Sequence, residues 1–421
     1  MSKTKAIILI LVIFILTFGG LIWYYFSFNP IVPITGQKQD QPTTTLDIYD
    51  PFGTKANDAN QVYTDTANPV PAGDTSIATL STDKLRQISA EPISGFSVSE
   101  NIQTKKTDIH YTLRANGNIY ETYTDSPEQK RLSITTIPKV YEALWLPGGQ
   151  KQIIQYLKED TETIETFSIK LNPSTTTLNE FSGGIDGKRL EENITALAIN
   201  PTGDKIFYLI HSTSTATGLT AKPDGLNKKI IFTSPISEWL VSWPKEETIT
   251  LNTKPSSQVA GYMYFLNSVT GSFSKVLGDI NGLTTKTNKT TTQVLYSDSI
   301  RGNPKLYLYN IKTKESKLLP WSTLPEKCLW SNTDDKIIYC AVPKAFPRGE
   351  YPDSWYQGLV SFSDDIWMMN TDTGAATLVY DIEMETTNKM DLINLQLDKT
   401  GSYLFFMNKT DLTFWSLDLN K

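Results

Sequence analysis

Histidine and cysteine are scarce in this chain, with only two of each among 421 residues. His110 and His211 stand far apart and belong to no H-E-x-x-H pattern, and Cys328 and Cys340 are too distant for C-x-x-C. Such spacings are common signatures of zinc sites. The sequence therefore predicts no metal site and no cofactor.

Motifs of phosphate binding and nucleophilic catalysis are also absent. The sequence has no G-x-G-x-x-G, no phosphate loop, no G-x-S-x-G and no S-x-D-x-G-x-T-W. Paired carboxylates occur at Asp334-Asp335 and Asp364-Asp365. The first pair lies in a predicted hairpin turn, where Asp suits the backbone. We therefore predict that the protein is not an enzyme.

Long basic runs are missing as well, and the formal net charge is -6. A nucleic-acid partner requires clustered Lys and Arg to neutralise its phosphates, so the composition argues against one. Aromatic residues are abundant instead, with 20 Tyr, 17 Phe and 9 Trp. Together with frequent Thr, they favour β-strands.

One long apolar segment is present, at residues 6–28, and it contains no charged side chain. It exceeds the roughly 20 residues that a helix needs to cross a bilayer. Lys3 and Lys5 precede it and no Lys or Arg follows as far as residue 36, which favours a cytoplasmic N-terminus. We expect a single-pass anchor, with the remaining chain in the periplasm or on the cell surface. A cleaved signal peptide is the alternative.

Residues 29–82 have a different composition. Proline recurs, Thr, Asp, Asn and Gln are frequent, and the few apolar residues show no period. This composition is typical of an extended linker or stalk, or of filler without a role of its own. The chain thus divides into a cytoplasmic tip and anchor at 1–28, a linker at 29–82 and a folded region at 83–421.

From residue 83 onward, one structural unit recurs. A short apolar strand, a turn with Pro, Asn, Asp or Gly, and a strongly apolar strand form a predicted hairpin, and an aromatic strand and a polar strand follow. Four-stranded propeller blades repeat every 40–50 residues, roughly the spacing seen here. Equivalent first-strand positions are Phe96, Leu144, Leu197, Val241, Leu283, Leu329 and Leu395. We predict an all-β, seven-bladed β-propeller, with six or eight blades as alternatives.

The two ends of the folded region complement each other. The last unit lacks a fourth strand, and residues 84–88 (KLRQI) resemble the missing one. An N-terminal strand that completes the last blade would close the ring and remove an exposed edge. We predict this closure.

The hairpin turns read WLPGG at 145–149, NPTGDK at 200–205, WSNTDDK at 330–336 and LDKTG at 397–401. They resemble the W-S-P-D-G-K pattern of the WD40-like repeats of TolB-type propellers. The resemblance covers residues 85–421 and implies a propeller that scaffolds protein contacts. A single anchor before such a propeller resembles hypothetical surface proteins of bacteria.

An insertion at 343–362 interrupts the sixth unit between its second and third strands. We expect it beside one mouth of the propeller channel, either as a binding loop or as a lid packed on its own propeller. Tyr, Trp and Arg often anchor interfaces, and the candidate residues are Phe346, Arg348, Tyr351, Trp355 and Tyr356. A polar stretch at 212–227 is expected to form a second long loop.

Cys328 and Cys340 flank a predicted hairpin turn at equal distances from residue 334. Directly opposite residues of a hairpin have Cβ atoms about 4.5–5.5 Å apart, so a disulfide fits. An extracytoplasmic compartment permits oxidation. Two buried thiols are the alternative.

Two classes of function remain. The first is a binding or scaffolding module whose propeller face meets a protein, peptide or glycan, and we favour it. The alternative is a propeller hydrolase or lyase acting on an extracytoplasmic polysaccharide or peptide. Converging carboxylates or a metal cage at the channel mouth would support the enzyme.

Overall fold

Seven four-stranded antiparallel sheets make up the described part of the chain, so the predicted blade number is confirmed. The predicted anchor at 6–28 and the linker at 29–82 lie outside the described residues. In the ranges that are described, no helix is long and apolar enough to cross a membrane. The computed structural model describes residues 83–101, 104–133, 135–158, 163–172, 184–212, 215–299, 302–386 and 388–421.

Each sheet is one blade, and its strands follow from the channel outward. Blades one and two contain β2 (Ile93–Glu100), β3 (Thr107–Leu113), β4 (Ile119–Tyr123), β5 (Ser126–Arg131), β6 (Val140–Trp145), β7 (Lys151–Leu157), β8 (Ile164–Asn172) and β9 (Gly184–Arg189). Blades three and four contain β10 (Ile194–Ile199), β11 (Ile206–His211), β12 (Ala216–Ala221), β13 (Lys229–Ser234), β14 (Trp239–Lys245), β15 (Thr248–Thr253), β16 (Ala260–Asn267) and β17 (Phe273–Asn281).

The remaining blades follow the same order. Blades five and six contain β18 (Thr285–Thr287), β19 (Gln293–Asp298), β20 (Lys305–Asn310), β21 (Ser316–Leu318), β22 (Cys328–Trp330), β23 (Ile337–Pro343), β24 (Asp364–Asn370) and β25 (Ala376–Tyr380). Blade seven contains β26 (Leu392–Leu397), β27 (Tyr403–Asn408), β28 (Phe414–Asp418) and β1 (Leu85–Ser89). The short helices are a 3-10 turn (Pro325–Lys327), α1 (Asp353–Tyr356) and α2 (Ile382–Thr386).

The antiparallel order of each blade sends its connections alternately to two faces of the ring. The tight turns between first and second strands, and between third and fourth strands, lie on one face, which we call the turn face. The loops between second and third strands, and the connections from blade to blade, lie on the opposite face, which we call the lid face.

The repeated hairpin motif has a direct structural cause. In two of the four turns, an Asn or Asp side chain accepts a backbone N–H from the far side of the turn. Asn200 Oδ1 accepts from Lys205 N at 2.9 Å, and Asp398 Oδ1 accepts from Tyr403 N at 2.8 Å. Gly203 in the first of these turns has φ of 73°, where glycine is favoured because a Cβ would be strained. The motif therefore encodes the turn.

The hydrophobic core lies between neighbouring blades. Phe207 of blade three packs in one cluster with Ile249 of blade four, and similar clusters join blade four to blade five and blade five to blade six. One cluster joins blade seven to blade one, where the ring centroids of Phe96 and Phe414 lie 4.4 Å apart. Burial of apolar surface at these interfaces is the main force that holds the blades together.

The closure strand is confirmed. β1 pairs antiparallel with β28, with Leu85 opposite Leu417, and so supplies the fourth strand of the last blade. Asp418 N donates to Lys84 O at 2.9 Å, which places the start of the described chain on the turn face.

Two local predictions were wrong. Leu283 lies two residues before β18, because the first strand of blade five is short. The stretch 212–227 is not one long loop, since it contains β12, the third strand of blade three. Gly218 in β12 lets the Phe207 ring pack closely against the strand, since a Cβ at this position would lie 2.7 Å from that ring. The polar, Gly-containing sequence of this stretch gave no indication that it forms a buried strand.

Candidate functional site

The insertion of blade six forms a folded lid. We define the lid as residues 344–363, which join β23 to β24 on the lid face. Its two ends are tied together, since Lys344 N donates to Ser363 O at 2.8 Å. Helix α1 lies at its centre, and Ser354 N in this helix donates to Glu350 O at 2.7 Å. The lid is therefore an ordered substructure within its blade.

Aromatic side chains give the lid a core of its own. Tyr351, Trp355 and Phe362 are all at least 96% buried and cluster with Leu324 of the propeller. The rings of Trp355 and Phe362 are stacked with centroids 6.1 Å apart. Phe346 packs edge-on against Phe362 at 5.2 Å. Burial of these large aromatic side chains contributes strongly to the packing of the lid on the propeller.

The lid contacts blade four and the connections before and after blade five. Ser257 N, in the loop between β15 and β16 of blade four, donates to Asp353 Oδ2 at 2.7 Å. The Tyr356 hydroxyl donates to Glu326, in the 3-10 turn that connects blade five to blade six. A Cβ on Gly282, before blade five, would lie 3.1 Å from Tyr351 O. The lid thus lies along the connections that surround the channel mouth.

A buried cluster of charges fixes the base of the lid. Lys327 Nζ donates to Asp391 Oδ1 at 2.5 Å and lies 2.7 Å from Asp364 Oδ2, and all three side chains are fully buried. Trp355 Nε1 of the lid donates to Asp391 Oδ2 at 2.8 Å, and Phe362 N donates to the same atom at 3.1 Å. We call Lys327, Asp364 and Asp391 the latch. It joins the lid to the starts of blades six and seven.

The latch leaves one hydrogen-bonding position open. Asp364 Oδ2 accepts from Leu392 N at 2.7 Å, whereas Asp364 Oδ1 has no hydrogen-bond partner among the described residues. Burial raises the pKa of Asp364 to about 6, and Lys327 opposes that rise while Asp391 adds to it. A buried carboxylate next to a second carboxylate favours the protonated form for these reasons.

Of the candidate residues, Tyr351 and Trp355 are buried in the lid core and Phe346 is half-buried. Arg348 is exposed, and Tyr356 is 39% exposed. Arg348, Tyr356 and Leu359, the last of which is 72% exposed, lie on the outer surface of the lid together with exposed polar residues such as Glu350 and Gln357. The insertion is therefore a lid packed on its own propeller, and its role as a binding loop stays a prediction.

Cys328 and Cys340 are directly opposite partners on β22 and β23. Their sulfur atoms form a disulfide, with the Cα atoms 4.0 Å apart. The bridge lies in the interface between blades five and six, with both residues buried. It links the inner strand that follows Lys327 to the strand that leads into the lid. The disulfide thus supports the base of the lid from beneath.

The two histidines lie in different blades. His110, in blade one, is buried and its Nε2 lies 3.1 Å from Glu121 Oε1, while its ring stacks on Trp145 of blade two. His211, in blade three, is exposed and lies 3.0 Å from Thr195 Oγ1. Across the described ranges, no group of three His, Cys, Asp or Glu side chains could hold a metal ion.

Comparisons with known proteins found similar solved structures only. No protein-family model matches the chain, and no curated protein matches it. Among solved structures, TolB from Acinetobacter baumannii is similar at 14% identity and a TM-score of 0.40, over 66% of this chain and 61% of TolB. This chain thus spans less than two thirds of the length of TolB.

Two further solved structures are similar over more of the chain. Oligogalacturonate lyase from Vibrio parahaemolyticus matches at 10% identity and a TM-score of 0.49, over 79% of this chain and 93% of the lyase. The β-propeller domain of the trilobed protease from Pyrococcus furiosus matches at 14% identity and a TM-score of 0.48, over 78% and 98%. These are similarities of fold alone.

Proposed function

We propose that this chain is a single-pass membrane protein whose extracytoplasmic propeller binds a protein, peptide or glycan through its lid face. The apolar, uncharged segment at 6–28 after Lys3 and Lys5 supports the anchor and its orientation. The net charge of -6 and the lack of basic runs argue against a nucleic-acid partner. Binding rather than catalysis is the activity that we propose.

The observation that carries this proposal is the latched lid. Its outer surface presents Arg348, Tyr356 and Leu359 on a base that Lys327, Asp364 and Asp391 hold in place. A surface that is ordered before binding loses less conformational entropy when a partner arrives. Tyr and Arg are also frequent anchors of interfaces.

Exposed apolar side chains on the lid face also support this face as the binding surface. Val259 is 64% exposed in the blade-four loop whose Ser257 contacts the lid, and Leu240 and Ile236 of the same blade are 39% and 42% exposed. Clustered exposed apolar residues often mark interaction sites. The described chain begins on the turn face, opposite the lid face.

A matched pair of variants tests the proposal. Arg348→Glu with Leu359→Ser alters exposed lid residues, whereas Leu226→Ser with Val269→Ser alters apolar residues of the turn face that are 51% and 54% exposed. Full-length proteins in detergent are used to capture partners from a cell-envelope extract. We expect the lid variant to lose a partner that the wild type and the turn-face variant both retain. Equal capture by both variants would rule out the lid face.

A further inference from the structure

A polar cleft opens on the turn face between blades two and three. Its volume is about 520 Å³, which is within the usual range of small-molecule sites. The described residues that line it include four lysines, three aspartates and no aromatic residue. Most small-molecule sites are lined by apolar and aromatic side chains. The lining of this cleft therefore favours a polar ligand over one that is apolar or stacks on rings.

One wall of the cleft is the face of blade two that packs toward blade three. Lys151 of β7 and Lys170 of β8 are directly opposite partners on this wall. Both are exposed, and neither ammonium group has an ion pair or a hydrogen bond among the described residues. Like charges directly opposite each other destabilise a sheet. The lysine pair therefore favours an anion that both ammonium groups can reach.

Two hairpin turns of blade three form the other wall. Gly203, between β10 and β11, lies against blade two, since a Cβ on it would lie 2.8 Å from Pro147 Cδ. Gly225, between β12 and β13, also lies against blade two, where its Cβ would be 2.9 Å from Leu190 Cδ2. Close packing at both turns fixes the second wall relative to the first.

A buried hydroxyl group lies at the base of the cleft. Ser168 lines the cleft and is only 9% exposed, and its hydroxyl makes no hydrogen bond among the described residues. Ser168 is two residues from Lys170 on β8, so both side chains lie on the same face of the sheet. A buried hydroxyl without a partner costs free energy. An oxygen atom of a ligand in the cleft would supply that partner.

The carboxylates of the cleft are only partly engaged by the protein. Asp204 Oδ1 accepts from Thr202 Oγ1 at 2.6 Å, and Asp224 Oδ1 accepts from Leu226 N at 3.1 Å. Lys188 Nζ lies 3.7 Å from Asp224 Oδ2, between two side chains that are about half exposed. Carboxylates only accept hydrogen bonds. A ligand that matches the whole cleft therefore brings hydroxyl donors as well as negative charge.

We propose that this cleft binds a small hydroxylated anion, namely a sugar phosphate or a sugar acid. The anionic group of the ligand accepts hydrogen bonds from Lys151 and Lys170, and one of its oxygen atoms pairs with the Ser168 hydroxyl. The ligand hydroxyl groups donate to Asp204 and Asp224. This site goes beyond the proposed function, because it lies on the face opposite the lid and takes a small molecule.

Isothermal titration calorimetry of the full-length protein in detergent tests the proposal. Glucose 6-phosphate and gluconate are the probes, and glucose and inorganic phosphate are the controls. We expect Lys151→Met with Lys170→Met to weaken probe binding at least about tenfold, because charge-assisted hydrogen bonds are lost. Ser168→Ala should weaken it about two- to tenfold. Lys305→Met with Lys312→Met removes the same charge from exposed positions of blade five and should leave the affinity unchanged.

Amine acylation, read by peptide mass spectrometry, is a second readout that needs no variant. Bound glucose 6-phosphate should slow the acylation of Lys151 and Lys170 but not that of Lys305. Binding of only one of the two probes supports the site and identifies its anionic group.

Three results would overturn the proposal. They are binding of neither probe, equal affinities of the wild type and the Lys151→Met, Lys170→Met variant, and inorganic phosphate binding as tightly as glucose 6-phosphate, which would show an adventitious ion only. The lid variant Arg348→Glu with Leu359→Ser leaves the cleft intact and should bind the probes as the wild type does. Failure of the cleft therefore leaves the test of lid-face binding unaffected.

Discussion

Lys327 Nζ lies 2.7 Å from Asp364 Oδ2, and neither side chain is exposed to solvent. The same ammonium also donates to Asp391, so one cation joins two carboxylates from separate blades. Its position above the rings of Trp355 and Phe362, 5.4 and 5.2 Å from their centroids, adds cation–π attraction. The lid and the junction of two blades therefore depend on one charged group.

Replacement of that cation is expected to loosen the lid and destabilise the propeller. Lys327→Met removes the buried ammonium that Asp364 and Asp391 share, and loss of one partner from a buried ion pair costs about 3–5 kcal/mol. Urea unfolding measures this loss, and limited trypsin digestion after Arg348 measures the exposure of the lid. Lys106→Met is the control, because its exposed pair with Asp125 is worth at most about 1 kcal/mol. Equal effects of both variants would contradict the role of the latch.

The latch also predicts an unusual pH dependence. Burial raises the pKa of Asp364 to about 6 in the folded protein, from an ordinary value of 3.8. Between these values the folded state binds a proton that the unfolded state does not, so this group stabilises the fold as pH falls. Its contribution to the unfolding free energy should increase by up to about 1.4 kcal/mol per pH unit between pH 6 and 4.

The variant Asp364→Asn isolates this contribution from those of other carboxylates. Urea unfolding of wild type and variant is compared from pH 7 to pH 4. The unfolding free energy of the wild type should rise relative to that of the variant as pH falls. A difference that stays constant across this range would show that Asp364 does not titrate as its burial requires.

Oxidation of Cys328 and Cys340 can be tested by thiol counting. Denatured, non-reduced protein should show no reactive thiol, and two should appear after reduction. The bridge spans 12 residues, and closing a loop of this size stabilises a protein by about 3 kcal/mol. The double variant Cys328→Ala with Cys340→Ala should therefore unfold at a lower urea concentration. Two thiols without reductant would exclude the disulfide.

Ring closure should depend on β1. A chain that begins at residue 90 lacks this strand, including buried Leu85 and Ile88, whose burial is worth about 3–6 kcal/mol together. It also exposes the edge of β28, which invites association. We expect a lower thermal midpoint and aggregates in size-exclusion chromatography, relative to a chain that begins at residue 83. Equal behaviour of the two chains would refute closure by this strand.

The sequence allowed prediction of features with a local cause. Turn residues such as Asn200 and Asp398 bond within their own hairpins, so the hairpins repeat visibly along the chain. The cysteine register followed from one hairpin alone. The position of the lid followed from its length within a four-stranded unit. These features depend on neighbours that are close in sequence.

The latch had no such local cause. Lys327 and Asp391 are 64 residues apart, and they meet only because the starts of two successive blades lie side by side on the lid face. Charged residues are rarely fully buried, so composition alone would place them at the surface. Asp364 stood out only as half of an acidic pair.

Site-specific photo-crosslinking tests the central claim most directly. A benzophenone amino acid is placed at Leu359 on the lid or at Leu226 on the turn face, which are 72% and 51% exposed, in the full-length protein in living cells. We predict that irradiation yields a discrete crosslinked species from position 359 and none from position 226. Crosslinks from position 226 alone would contradict a binding surface on the lid face.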